Sequence, residues 1–273
     1  GHYNFASCCS DYVVPVVDEA PEIKVGNASI LLYRGPSDAN SPKFNERTLE
    51  VALGLWFIRK YMYSENPLIE IGNTLRQYWP DVEKPWYVFD LRETGVDATT
   101  ESFNNMSVMS LSTVEHVGID NEGQYRPEGA RVHNNEENFE SWISAWDASP
   151  HLLTRITLEA DIFLVTFPIG FNPRLDAVVA RDPSLRRYAR VARRIDAANR
   201  WQVDPSGSLE YHYDFRDTYA HDTVGQIYSS IVPKIYARVY GEPMPPLLPL
   251  PHHPPFRFAN GVCIITNVPE LLA

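Results

Sequence analysis

The stretch Pro67-Leu68-Ile69-Glu70-Ile71-Gly72-Asn73-Thr74-Leu75 decides the fold that this sequence predicts. A short apolar run ends in an acid and a glycine, which is typical of a buried parallel strand that turns sharply into a loop and helix. Glycine suits such a turn because a side chain would keep a nucleoside cofactor away from the backbone. The stretch therefore predicts a ligand-binding turn at the carboxyl end of a strand.

A second apolar run, Trp86-Tyr87-Val88-Phe89-Asp90, also ends in an acid, and Asp90 lies 18 positions after Gly72. In nucleotide-binding α/β folds, a carboxylate about 20 residues past the glycine turn hydrogen-bonds a ribose hydroxyl. Taken together, the two stretches predict a nucleoside site at the ends of two strands.

The composition narrows the class of protein and its partners. The chain has 273 residues, of which 44% are hydrophobic, and a formal net charge of −11. This charge argues against binding to nucleic acid and against docking on anionic lipid. No apolar run approaches the length of about 20 residues that a membrane-spanning helix needs, so we expect no membrane partner.

The three cysteines, Cys8, Cys9 and Cys263, show no zinc-type spacing. Cys8 and Cys9 are neighbours and are poorly placed to bond each other. We therefore expect reduced thiols, no metal site and an intracellular, cytoplasmic protein.

The chain shows no internal repeat and no clear linker. We expect a peripheral N-terminal segment over residues 1–45 and a single domain over residues 46–273. A helix is predicted over Glu46–Tyr63 beside the first strand of the domain, with Asn45 as its N-cap. The arginine-rich residues 174–200 are predicted to be helical and to form either a solvated face or a patch for an anionic substrate. Buried strands are expected at 67–71, 86–89, 106–111, 160–167 and 261–267, with a short strand or a loop at 95–101.

Four stretches, each a predicted strand and the residues after it, follow one another along the chain: Ile69 to Gly72, Val88 to Leu91, Leu111 to Gly118, and Phe163 to Pro168. This order resembles that of the class I S-adenosylmethionine-dependent methyltransferases. The resemblance implies an α/β fold with a Rossmann-like, seven-stranded, mostly parallel sheet, flanking helices and an antiparallel last strand.

The resemblance also implies S-adenosyl-L-methionine as the cofactor. The glycine turn would lie by its methionine part, Asp90 would hold the ribose, and Ser112 and Thr113 would lie near its sulfonium. The implied cofactor contacts are Glu70, Gly72, Asn73, Asp90, Leu91, Ser112 and Thr113. The chain departs from the family where Thr74 replaces a second glycine, and this side chain would narrow the turn.

Two residues after the fourth predicted strand are candidates for catalysis. His116 could act as the base that removes a proton from an acceptor hydroxyl, because histidine titrates near neutral pH. Its ring could equally cap the following helix or bond the backbone. Glu115 could orient the cofactor or be solvated.

Four further residues are candidates for binding the acceptor: Asn172, Arg174, His133 and His212. Arg174 could pair with a carboxylate or phosphate of the substrate, or with a surface acid. His133 could belong to a lid or to an exposed loop, and His212 could line a pocket or lie on a strand face.

The sequence thus predicts a methyltransferase that acts on the oxygen of a small molecule or of a sugar or glycan hydroxyl. Aromatic-rich loops, which suit stacking on sugar rings, favour the sugar. The alternative is a catalytically inactive, methyltransferase-like binding or scaffolding domain with the proline-rich residues 241–255 as a docking element. A nicotinamide-dependent oxidoreductase is disfavoured because the Gly-x-Gly-x-x-Gly fingerprint is absent.

Overall fold

The fold is an α/β arrangement in which helices flank a seven-stranded mixed sheet. It is known from a computed structural model, which describes residues 21–34, 45–78, 86–91, 93–118, 146–196, 198–209, 233–244 and 260–273. The predicted α/β class, the seven strands and the flanking helices are confirmed.

The strands are β1 Glu22–Val25, β2 Ala28–Leu31, β3 Leu68–Ile71, β4 Tyr87–Phe89, β5 Ser107–Leu111, β6 Ile162–Pro168, β7 Ala189–Arg194, β8 Trp201–Val203 and β9 Gly261–Thr266. The main helices are α1 Arg47–Tyr61, α2 Ala148–Glu159 and α3 Pro173–Arg181. Short helical turns lie at Thr74–Gln77, Val114–His116, Pro183–Arg186 and Pro269–Leu272, and residues 233–240 are also helical. No helix in these described ranges is long and apolar enough to cross a membrane.

The sheet has the strand order β4-β3-β5-β6-β9-β7-β8. The pairs β3–β4, β3–β5 and β5–β6 are parallel. The last strand, β9, lies between β6 and β7 and is antiparallel to both, and β8 is antiparallel to β7. Three of the six pairings are thus antiparallel, so the sheet is mixed.

The sheet is covered on both faces because alternate residues of its strands point into two separate cores. Met109 and Leu111 of β5 lie in one core with residues of α1, β1 and β2. Val108 of the same strand lies in the other core with residues of α2 and α3. Burial on both faces explains why β3, β6 and β9 are nearly continuous apolar runs.

The strands β1 and β2 form a separate antiparallel hairpin within the segment 1–45. Its residues Ile23, Val25 and Ile30 are buried in the same core as α1. The hairpin therefore contributes to the core, while the predicted boundary between residues 1–45 and 46–273 stays a prediction.

Helix α1 lies within the predicted range Glu46–Tyr63, but its neighbours differ from the expected ones. It packs on β2, β5 and β6 rather than mainly beside β3. Its buried apolar residues include Leu49, Leu53 and Phe57. The amino end of α1 is thereby brought to the carboxyl ends of β5 and β6.

The prediction of one helical face over residues 174–200 is wrong. Helix α3 ends at Arg181, Pro183 starts a single turn, and β7 follows at Ala189–Arg194. The arginines of this strand find internal acceptors, for example Asp204, whose carboxylate oxygen lies 2.5 Å from Arg193 Nε. Residues 95–101, for which a short strand or a loop was expected, form turns and no strand.

The glycine turn after β3 packs against the side chain of Thr113, which follows the neighbouring strand β5. Gly72 has φ +74°, and its N–H donates to the Phe89 carbonyl over 2.9 Å. A Cβ at this position would lie 2.3 Å from Thr113 Oγ1 and 2.5 Å from Thr113 Cγ2. Glycine is thus required both by the backbone conformation and by the contact with Thr113.

We predict that Gly72→Ala lowers the free energy of unfolding by roughly 2–4 kcal/mol, since it adds a steric clash to backbone strain. Urea denaturation followed by circular dichroism measures the change. Gly95→Ala is the matched control, because Gly95 has φ +72° and no atom within 4 Å of an added Cβ. This control should lose only about 1 kcal/mol from strain. Equal losses in the two variants would contradict the packing of Gly72 on Thr113.

Candidate functional site

The candidate site lies at the edge of the sheet where the parallel strands β3, β4 and β5 end. β4 and β5 lie on opposite sides of β3, so the chain changes direction across β3. Ligands of open α/β sheets bind in the crevice at such a switch point. Gly72, Asp90 and Ser112 each follow one of these strands directly.

The carboxylate of Glu70 shapes the glycine turn from within the protein. Glu70 is fully buried. One of its oxygens accepts from Leu75 N and the other from Trp86 Nε1, each over 2.9 Å. Glu70 therefore fixes the turn and ties it to the start of β4.

Thr74, the residue at the position of the expected second glycine, holds the turn against β5. Its Oγ1 donates to the Leu111 carbonyl over 2.8 Å and lies 3.4 Å from Thr113 Oγ1. Thr74 and Thr113 together occupy the space beside Gly72. The short helical turn Thr74–Gln77 follows.

The loops after β3 and β4 are joined by Glu93, a residue that the sequence analysis did not single out. Glu93 accepts hydrogen bonds from Asn73 Nδ2 and from Arg76 Nη1. Its own N–H donates to Asp90 Oδ1 over 2.9 Å. The half-buried Asp90 is thus oriented at the end of β4, with the half-buried Leu91 next to it.

Three buried carboxyl groups lie close together behind this edge, and we call them the carboxyl cluster: Glu46, Glu50 and Glu115. Their exposed fractions are 6%, 0% and 0%. Glu46 and Glu50 lie at the amino end of α1, and Glu115 lies in the helical turn after β5. Burial of three acids is costly unless partners or protons neutralise them, so the cluster needs a physical explanation.

Glu50 is the well-paired member of the carboxyl cluster. Ser112 Oγ donates to it and lies 2.7 Å from both oxygens. Thr166 Oγ1 of β6 donates to it over 2.9 Å, and Arg47 Nη1 forms an ion pair with it over 2.9 Å. Glu50 thereby joins α1 to the ends of two central strands.

Ser112 has a strained backbone, with φ +43°. Its N–H donates to the Thr166 carbonyl over 2.9 Å, and its side chain is bound to Glu50. These two contacts stabilise a conformation that non-glycine residues rarely adopt. Such strain is common where the backbone is shaped for a ligand.

Glu115 is the member of the carboxyl cluster whose side chain lacks hydrogen bonds within the described parts of the chain. Neither of its carboxyl oxygens has a hydrogen-bond partner among the described residues. Burial raises the pKa of Glu115 well above its ordinary value, the charge of Glu50 adds to this effect, and Arg47 opposes it. The buried environment therefore favours the protonated form of Glu115.

Glu46 is intermediate between the other two acids. Burial, followed by the charge of Glu50, raises the pKa of Glu46 from 4.5 to about 7. Its Oε2 has no hydrogen-bond partner in the described parts of the chain, and the same is true of the nearby Tyr78 hydroxyl. Burial lowers the pKa of Arg47, but the charges of Glu50 and the other acids have a larger, opposite effect. The pKa of Arg47 is therefore raised above its ordinary value.

His116 lies next to the carboxyl cluster and reaches the surface. Its ring is 4.5 Å from that of Phe171, and its side chain is 31% exposed. The distance from its Nε2 to Glu115 Oε1 is 3.6 Å. The two candidate catalytic residues are thus adjacent, with the acid inside and the histidine outside.

The predicted acceptor residues divide into two groups. Asn172 is buried, caps α3 by accepting from Leu175 N, and donates to the Glu115 carbonyl over 3.1 Å. Arg174 pairs with Asp147 over 2.6 Å, which matches the surface-acid alternative. His133 and His212 lie outside the described residues.

Another buried acid, Asp176 of α3, is separate from the carboxyl cluster. Its Oδ2 accepts from Gly170 N over 2.8 Å, and burial raises its pKa well above the ordinary value. Cys263 is also buried and is a free thiol. No group of three or more His, Cys, Asp or Glu side chains within the described ranges could hold a metal ion.

Comparisons of the chain with protein-family models, curated proteins and solved structures found no match. The geometry of the site is therefore the basis for a functional proposal.

We predict that Glu50→Gln lowers the free energy of unfolding by about 3–5 kcal/mol, because it leaves the largely buried Arg47 guanidinium without its anion and removes an acceptor from Ser112 and Thr166. Guanidinium denaturation followed by tryptophan fluorescence measures the loss. Glu270→Gln is the control, since Glu270 pairs with Lys60 at the surface, and its stability should hardly change. A similarly small effect for Glu50→Gln would contradict the inference that Glu50 joins α1 to the ends of β5 and β6.

We also predict that the protein becomes less stable as pH rises from about 4.5 to 7. The raised pKa of Glu46 means that the folded state binds more protons than the unfolded state in this window. The contribution of protonated Glu46 to the free energy of unfolding, about 3 kcal/mol, is fully present below pH 4.5 and is lost as Glu46 ionises.

Urea denaturation at a series of pH values tests this dependence. Glu46→Gln should reduce the slope between pH 5 and 7 because glutamine does not titrate. The expected ionisation of Glu46 is wrong if wild type and variant show the same slope.

Proposed function

We propose that the chain binds S-adenosyl-L-methionine at the carboxyl ends of β3, β4 and β5 and transfers its methyl group to a hydroxyl of a small molecule or sugar. The observation that carries this proposal is the meeting of Gly72, Asp90 and Ser112 at the point where the chain changes direction across β3. Such a crevice is the usual ligand site of an open α/β sheet.

The strand arrangement supports the same proposal. The resemblance implies a last strand that is antiparallel, and β9 is antiparallel to both of its neighbours. β4, β3, β5 and β6 form a continuous parallel series before it. A Rossmann-like order of the parallel part is therefore included in the proposal.

The residues at the site fit the chemistry of the cofactor. The ribose hydroxyls are donors, and the half-buried carboxylate of Asp90 is an acceptor at the end of β4. The cofactor also carries a sulfonium and an ammonium group, and the buried carboxyl of Glu115 has no hydrogen-bond partner among the described residues. An unpaired acid beside the crevice is complementary to a cation.

When bound, the cofactor supplies a methyl group activated by its sulfonium. The chain has to align the acceptor hydroxyl with that group and remove its proton. His116 is exposed enough to meet an acceptor, and its neutral ring can accept the proton at one nitrogen. Glu115, 3.6 Å from His116 Nε2, can hold the ring and stabilise its charged form.

One observation favours the alternative of a catalytically inactive binding or scaffolding domain. Thr74 and Thr113 occupy the space beside Gly72, where the related enzymes have a further glycine. Loss of cofactor binding would leave the same fold with a filled turn. Direct titration separates the two functions.

We predict that S-adenosylmethionine and S-adenosylhomocysteine bind the purified protein with micromolar affinity in isothermal titration calorimetry. Asp90→Ala should weaken both by roughly 10- to 100-fold, since a charge-assisted hydrogen bond to the ribose is lost. Asp161→Ala is the control, because Asp161 lies before β6 at the opposite edge and accepts from Asn66.

Binding that is equally strong in wild type and Asp90→Ala would place the ribose elsewhere. No binding of either compound to folded wild-type protein would rule out the methyltransferase and favour the non-catalytic domain.

A further inference from the structure

We propose that the carboxyl cluster is the recognition site for the α-ammonium group of the cofactor, and that binding there releases protons. This inference rests on the proposed function and names which part of the ligand the cluster binds.

Four buried polar atoms around the cluster lack hydrogen-bond partners in the described part of the chain: Glu115 Oε1, Glu115 Oε2, Glu46 Oε2 and Tyr78 Oη. A buried polar atom without a hydrogen-bond partner destabilises the folded protein. Native proteins pair nearly all of their buried polar groups, so a set of four in one place indicates a missing partner.

An ammonium group matches this set chemically. It has three donors and no acceptor, and carboxyl oxygens are acceptors when ionised. A metal ion is a poorer match, because the three acids do not come together in a geometry that could hold one. The hydroxyl of Tyr78, which is not an acid, is an independent sign of an unfilled polar position.

The charges of the cluster also favour a cation. Arg47 is bound to Glu50 over 2.9 Å. Arg194 acts on Glu46 through space and lies over the Trp201 ring, 5.2 Å from its centroid. When all three acids are ionised, they face two guanidinium groups, so a third positive charge would balance the cluster.

The cluster is next to the proposed cofactor crevice. Ser112, which ends β5, donates to Glu50 directly. The side chains of Arg47 and His116 are 18% and 31% exposed, so the edge of the cluster reaches solvent beside the crevice. The amino-acid end of a nucleoside ligand in the crevice would therefore lie near the cluster.

Proton release follows from the neighbours of the two titrating acids. Burial raises the pKa of Glu115 and of Glu46, and each is faced by Glu50 and Arg47. His116 is beside Glu115, and Tyr78 faces the acids from the turn after β3. A bound cation favours the ionised form of both acids, so their pKa values fall and affinity rises with pH.

Calorimetric titrations of the wild-type protein in buffers of different ionisation enthalpy test this inference. S-adenosylhomocysteine carries the ammonium group, and 5′-methylthioadenosine shares its nucleoside but lacks the amino acid. At pH 7, we expect S-adenosylhomocysteine to release about half a proton to one proton, and its affinity to rise between pH 6 and 8. The neutral 5′-methylthioadenosine should release none, and its affinity should not change with pH.

Variants locate the released proton. Glu115→Gln should lower the affinity for S-adenosylhomocysteine by about tenfold or more and reduce proton release. The affinity for 5′-methylthioadenosine should not change. Asp176→Asn is the matched control, because Asp176 is also a buried acid with a raised pKa but is bonded to Gly170 N outside the cluster. This control should change neither the affinity nor the proton release.

The outcomes separate this inference from the proposed function. Equal affinities of the two compounds without proton release would overturn the inference and leave the nucleoside site intact. No binding of either compound would overturn the proposed function and the inference with it. The comparison uses only wild-type protein, so it stands even if Glu115→Gln fails to fold.

Discussion

The buried carboxylate of Glu50 is the interaction on which the arrangement of this edge depends. It accepts from Ser112 and Thr166, which follow or belong to two adjacent strands, and pairs with Arg47 of its own helix. Helix α1 is thus fixed on the sheet by a charge as well as by apolar packing. The same bonds hold Ser112 in its strained conformation and so define where the strand ends.

Paired and unpaired acids within one cluster have different consequences. Glu50 is hydrogen-bonded by Ser112, whereas burial and the charge of Glu50 raise the pKa of Glu115 and oppose its ionisation. Buried polar groups without hydrogen-bond partners lower the free energy of unfolding, so a cluster of this kind destabilises the folded protein. Natural proteins retain such groups mainly where function needs them.

Much of the fold could be predicted because strands buried on both faces read as continuous apolar runs. The predicted strand at 67–71 corresponds to β3, and that at 261–267 corresponds to β9. The strand β7 was missed because its arginines suggested a solvated helix, and partners such as Asp204 are brought to them only by the fold. Glu46 and Glu50 were missed for a similar reason, since helical periodicity assigns acids to the surface unless a tertiary partner is known.

The position of β9 has a consequence for how the chain folds. It follows all the other described strands along the sequence, yet it lies between β6 and β7. Until it has been synthesised, β7 and β8 have no hydrogen-bonding partner in the rest of the sheet, and the edges of β6 and β7 stay open. The sheet is therefore completed by a long-range contact, a topology that slows folding and leaves nascent strands dependent on protection from aggregation.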